Sequence, residues 1–161
     1  MELNELFAVQ KILNERIIKE HNLDPKTLSN KKFLALLTEL GELANETRCF
    51  KYWSTKDPSP RQEILEEYVD CLHFILTLGL DQNFEAVKPT YQTQSLDLTT
   101  HFIHLFHAVN TLHSASSMMA YTTLFNAFFA LGAELGFTQD EVLSAYMEKN
   151  KINHQRQDAH Y

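Results

Sequence analysis

The sequence predicts an all-α protein built as a helical bundle of about six helices. Three observations carry this. Apolar residues recur at the three-and-four spacing of a helix face along most of the chain. No convincing strand, internal repeat or low-complexity segment interrupts that pattern. Four glycines and four prolines among 161 residues are too few for a loop-rich or disordered chain. With 44% hydrophobic and 22% charged residues, the composition suits one domain over residues 1–161 with a real core.

Taken in order, Leu3 to about Glu20 forms the first helix, with Leu6, Val9, Leu13 and Ile17 on one stripe. Gln10 and Asn14 fall beside that stripe. Asp24-Pro25 marks a break, and Ser29 or Asn30 caps a second helix that carries Phe33 to about Phe50 or Trp53. The turn Asp57-Pro-Ser-Pro60 folds a third helix, about Arg61 to Leu80, back along the second, and Gly79 helps end it. Residues 81–95 are polar and broken by Pro89, a loop. Asp97 or Thr99 starts a fourth helix that runs through about Leu112. Ser114 or Ser116 begins a fifth, which ends near Gly136. Thr138-Gln-Asp-Glu141 is a capping box for a sixth, Val142 to about Asn150 or beyond. The fifth helix is apolar nearly all round between Met118 and Leu131, so it is expected to be buried centrally or between subunits, and a homodimer is the expectation.

The central hairpin carries the chemistry. Glu39-Leu-Gly-Glu42 and Glu67-Tyr-Val-Asp70 each place two carboxylates about one turn apart on one helix face. Glu42 lies 11 residues before Trp53, and Asp70 lies 10 after Pro60. The pairs then stand at nearly the same height, about 15 Å from the turn. Four carboxylates facing one another repel strongly unless a cation lies between them. An all-oxygen cage suits Mg²⁺ or Mn²⁺, which usually reach proteins together with substrate phosphates. Glu46 and Glu66 read as ordinary surface acids. At the other end of the chain, Lys149, Asn153 and Arg156 share one face of the last helix, suited to phosphate oxygens. That segment shows no apolar anchor and is expected to be mobile until it closes over a ligand.

Other sites weigh less. His101, His104, His107 and His113 tempt a zinc reading, but no acid joins them at ligand spacing, and the interleaved apolar residues look like core. Asp70-Cys-Leu-His73 is half of a di-iron motif, and its second half is missing. The net charge of −7 argues against a nucleic-acid binder. Cys49 and Cys71 show neither disulfide nor zinc spacing, which predicts reduced thiols and a cytoplasmic protein. The acidic opening Met1-Glu-Leu-Asn-Glu is not a signal peptide, and no apolar run is long enough to span a bilayer.

Glu39-x-x-Glu42, Phe50-Lys51-Tyr52-Trp53, Glu66-Glu67-x-x-Asp70-x-x-His73-Phe74 and Lys149-Asn150-x-x-Asn153-x-x-Arg156-Gln157 together resemble the dimeric all-α dUTPases. These belong to the wider all-α NTP pyrophosphohydrolases that include the MazG type. His160 stands where the family tends to have Gly. The resemblance implies hydrolysis of dUTP, and by extension dUDP, to dUMP, with two or three Mg²⁺ (Mn²⁺ as substitute) on Glu39, Glu42, Glu67 and Asp70. It makes Glu39 the base for the attacking water. It assigns the uracil to Gln10, Asn14 and Trp53, the deoxyribose to His73 and Phe74, and the phosphates to Lys51, Lys149, Asn153 and Arg156. Two alternatives remain open: a broader pyrophosphohydrolase acting on dCTP or non-standard nucleotides, and a non-enzymatic helical partner protein with a vestigial site.

Overall fold

The computed structural model describes residues 3–159. Among them the chain forms α1 (Leu3–Glu20), a 3₁₀ turn (Pro25–Thr27), α2 (Ser29–Thr47), α3 (Arg61–Asp81), α4 (Leu98–Ser114), α5 (Met118–Glu134) and α6 (Gln139–Asp158), and no strand. α3 is the common rod, packed on α1, α2, α5 and α6, while α4 lies against α2 and pairs with α5. One core runs through these contacts, from Leu36, Leu40 and Leu43 on α2 to Val69, Leu72 and Leu76 on α3 and Leu105 and Val109 on α4. No helix among the described residues is long and apolar enough to cross a membrane.

Local chemistry explains the helix ends. Asp97 caps α4 by accepting the Thr100 N–H at 3.0 Å, and Ser117 caps α5 by accepting that of Ala120 at 3.0 Å. The capping box Thr138–Glu141 is formed in full. Three limits differ from the sequence expectation. α2 stops at Thr47, short of Phe50 or Trp53, because Arg48 takes a left-handed conformation, φ 58°, and closes on the Ala44 and Asn45 carbonyls. Such a cap is usually glycine, so the sequence carried no stop signal there. α5 begins at Met118 under Ser117, rather than under Ser114 or Ser116, because α4 runs on to Ser114. Gly79 lies inside α3 and does not end it.

Gly79 serves a different purpose, which it shares with Gly132. The Tyr121 hydroxyl of α5 donates to Ile75 O on α3 at 2.8 Å, and its ring end lies against Gly79, where a Cβ would overlap it. In return, the Tyr68 hydroxyl of α3 donates to Phe128 O on α5 at 3.0 Å, against Gly132. Each helix thus sends a phenol into a glycine notch of the other, an approach that only a missing side chain allows.

The apolar circumference of α5 is taken up within the monomer. Tyr121, Leu124, Phe125, Phe128 and Leu131 are all fully buried in the single chain, and of the helix's large apolar side chains Met118 and Met119 at its start are exposed. The reason for expecting a dimer through α5 therefore falls away. Other exposed apolar groups lie elsewhere, among them Ile12 on α1, Leu34 on α2, Ile103 on α4, and Phe50, Tyr52 and Trp53 on the linker after α2.

Candidate functional site

Antiparallel packing of α2 on α3 brings Glu39, Glu67 and Asp70 together, with one carboxylate oxygen of each within 4.8 Å of the others. Glu42, one turn beyond Glu39, is exposed and lies outside this triad, though it is close enough to affect Glu39. Burial first, with Asp70, Glu42 and Glu67 acting in the same direction, pushes Glu39 up to about 7. Glu67 is raised by burial and then by Asp70 and Glu42. Its Oε2 is buried with no hydrogen-bond partner among the described residues. Asp70 is raised by burial but relieved by Lys149, whose Nζ lies 2.6 Å from Asp70 Oδ2. One ammonium thus faces three crowded carboxylates. An oxygen-only donor set with an unpartnered buried oxygen and raised pKa values fits a hard divalent cation.

Beside the triad opens a cavity of about 370 Å³. α1 contributes Gln10 and Asn14, α2 contributes Glu39, and α3 contributes Asp70, His73 and Phe74. α6 adds Lys149, Asn153 and Arg156. Ten of the residues singled out in the sequence thus gather in the cavity or its adjoining triad. Leu13, Ile17 and Leu28 give it an apolar wall. The position of the α1 and α6 groups follows from helix spacing, since Gln10 and Asn14 are four apart and Lys149, Asn153 and Arg156 four and three apart.

The deep end is a closed hydrogen-bond chain. His73 is stacked on Tyr146, ring centroids 4.3 Å apart, and its Nδ1 lies 2.6 Å from Gln10 Oε1. Burial, helped by Lys149, pulls His73 down to about 3, so the imidazole is neutral. Because the amide oxygen only accepts, Nδ1 carries the proton, and Nε2 is left as a buried acceptor without a partner among the described residues. Gln10 Nε2 donates to Asn14 Oδ1 at 2.9 Å, and the Thr77 hydroxyl donates to the same oxygen at 3.2 Å.

Lys51 and Trp53 do not line this cavity. Both sit on the linker after α2, where Lys51 lies over Phe50 and Trp53 packs edge-on against Phe50 and Tyr52 while remaining 65% exposed. The end of α6 is a formed helix with an anchor. Arg16 donates to His154 O at 3.1 Å and pairs with Asp158 at 2.5 Å, and His21 Nε2 meets Gln157 Oε1 at 2.8 Å. No apolar anchor for this tail is legible in the sequence because the anchor is polar. His160 lies outside the described residues.

The α4 histidines do not converge. His101 is buried, His104 and His107 are exposed, and His113 bonds Asn30 and packs edge-on against Phe33. Sequence reasoning missed four participants. Glu46 is half-buried, accepts a bond from the Ser59 hydroxyl, and raises Glu67; it stands four residues after Glu42. Lys32 lines the cavity wall. Thr77, four after His73, and Tyr146, three before Lys149, complete the polar chain, and that spacing was the available signal.

Fold and site together define an all-α bundle with a carboxylate triad beside a cavity lined by amides and cations. A family model described as dUTPase matches residues 2–161, and the chain belongs to that family: it is a hydrolase of the dUTP diphosphatase type. dUTPases generally use a divalent metal, and Glu39, Glu67 and Asp70 form an acidic cluster of the kind that could hold one. No curated protein gives a significant match to the chain.

Proposed function

We propose that the protein is a Mg²⁺-dependent dUTPase that converts dUTP and water to dUMP and pyrophosphate, and dUDP to dUMP and phosphate, limiting uracil incorporation into DNA in the cytoplasm. The observation that carries this reading is one cavity with a carboxylate triad at one end and a neutral, amide-lined polar chain at the other. Glu39, Glu67 and Asp70, with Glu42 at the rim, would hold two or three Mg²⁺, with Mn²⁺ as substitute. The bound metal would neutralise phosphate charge and lower the pKa of a water aligned for attack. Glu39 would accept that water's proton.

The remaining roles follow from place and chemistry. Gln10 and Asn14 would meet the polar edge of the base and Phe74 the apolar face of the sugar, with His73 between them. Lys149, Asn153 and Arg156 would take the phosphates, so Lys149 would leave Asp70 when the nucleotide arrives. Trp53 and Lys51 would reach the base and phosphates from the linker, where Trp53 is 65% exposed. We also propose a homodimer, supported by the exposed apolar groups Leu34, Ile103, Phe50 and Trp53 rather than by α5. A nucleotide panel compared by kcat/KM tests the reading. Mg²⁺-dependent release of pyrophosphate from dUTP far ahead of dCTP, dTTP and UTP is the expected result. Comparable rates on dCTP would replace it with a broader pyrophosphohydrolase.

A further inference from the structure

We propose that Tyr146 is a positioning residue that decides which base the cavity accepts, by holding the Gln10 and Asn14 amides with their nitrogens available to the ligand. The inference rests on the dUTPase reading and goes a step beyond it. Tyr146 is fully buried, its ring stacks on His73, and its hydroxyl donates to Gln10 Oε1 at 2.7 Å. The His73 Nδ1–H donates to the same oxygen. Gln10 Nε2 and the Thr77 hydroxyl both donate to Asn14 Oδ1. Each amide oxygen therefore has two internal donors and no lone pair to spare. Only N–H remains to offer: Asn14 Nδ2 and the second hydrogen of Gln10 Nε2.

An amide chain of this kind can reverse as a unit, and the question is what prevents it. His73 could adapt by changing tautomer, and Thr77 could accept instead of donate. Tyr146 has poor alternatives for its proton: Leu6 O lies 3.5 Å away, at the limit of a hydrogen bond, and the Asn150 side chain, one turn on along α6, meets the phenol as a donor. Burial raises the phenol far above its ordinary value, so it remains a donor at every working pH. The direction of the chain is thus set at its Tyr146 end. A donor-only amide surface suits a base that presents carbonyl oxygens, as uracil does through O2 and O4. The amino group of cytosine would place N–H against N–H and leave buried donors unpaired.

Tyr146→Phe keeps the stacked ring and removes the one proton that fixes the direction. The expected result is a fall of about tenfold in the dUTP-to-dCTP ratio of kcat/KM, with dUTP losing through KM and dCTP gaining. In the ¹⁵N spectrum of the nucleotide-free wild type, His73 should be protonated at Nδ1. The variant should show a mixture of tautomers. A merely structural role would lower stability and both rates together and leave the ratio alone. A folded variant with an unchanged ratio, from a wild type that prefers dUTP, overturns the role of Tyr146 alone. A wild type that prefers dCTP overturns both this role and the dUTPase reading. Wild-type His73 protonated at Nε2 overturns the proposed direction even if the variant does not fold.

Discussion

At the scale of single residues, Glu67 is the most exacting member of the site. Its Oε2 is buried without a partner among the described residues, and the neighbouring Asp70, Glu42 and Glu46 carboxylates raise its pKa after burial itself. Glu67→Gln should cut turnover at saturating Mg²⁺ by roughly 10²-fold or more, about 2.7 kcal/mol of barrier. The metal-free variant should melt no lower than the wild type, since repulsion is relieved, and differential scanning calorimetry in EDTA reads this directly. Glu39 supplies a pH dependence. Its folded-state pKa of about 7 lies above the ordinary 4.5, so the folded form holds the proton more tightly. Its contribution to stability is full below pH 4.5, declines between 4.5 and 7, and is gone above. Melting temperatures across that range should fall with rising pH in EDTA, and the slope should flatten when Mg²⁺ is present. The four principal acids were legible in the sequence because helix spacing fixes them. Their unequal standing was not, since whether Glu42 joins the triad depends on the side-chain exposure that tertiary packing creates. The placement of Trp53 was likewise hidden, because it hinges on Arg48 taking a left-handed conformation usually left to glycine.

At the scale of elements, α6 joins the two ends of the chain. Arg16 on α1 holds the last turns of α6 through His154 O and Asp158, and those turns carry Asn153 and Arg156 to the cavity. Arg16→Ala should speed hydrogen exchange of the amides at 151–158 while changing the melting temperature little, because the pair is partly exposed. The KM for dUTP should rise several-fold. Truncation after Asn150 should cost about 10²-fold in kcat/KM, measured by pyrophosphate release. Normal turnover by the truncated chain would remove α6 from the phosphate site. Helix cores and most caps were legible from periodicity and capping residues. The α1–α6 anchor was not, since it joins residues about 140 positions apart through polar groups that no local pattern distinguishes from a solvated face.

At the scale of the whole molecule, the bundle was legible and its interior order was not. Apolarity around α5 was a sound sign of burial, yet the partner that buries it is the same chain. The proposed dimer would draw on apolar groups exposed outside α5, among them Leu34, Ile103 and the linker aromatics. Light scattering should report about twice 18.7 kDa at micromolar concentration. Ile103→Lys should return the protein to monomer without unfolding it. A wild type that scatters as a single 18.7 kDa chain would reject the assembly.

The exchange of Tyr68 and Tyr121 between α3 and α5 has a consequence for the site in front of it. α3 carries Glu67, Asp70, His73 and Phe74, and on its far side the two phenols index it along its axis like a pair of opposed dowels. Sliding α3 by a single residue would pull both hydroxyls from their carbonyls and drive both rings out of their glycines. The carboxylates on one flank and the imidazole a turn away are therefore machined on one bar whose position is set from behind. The two ends of the cavity keep a constant spacing even when nothing fills it.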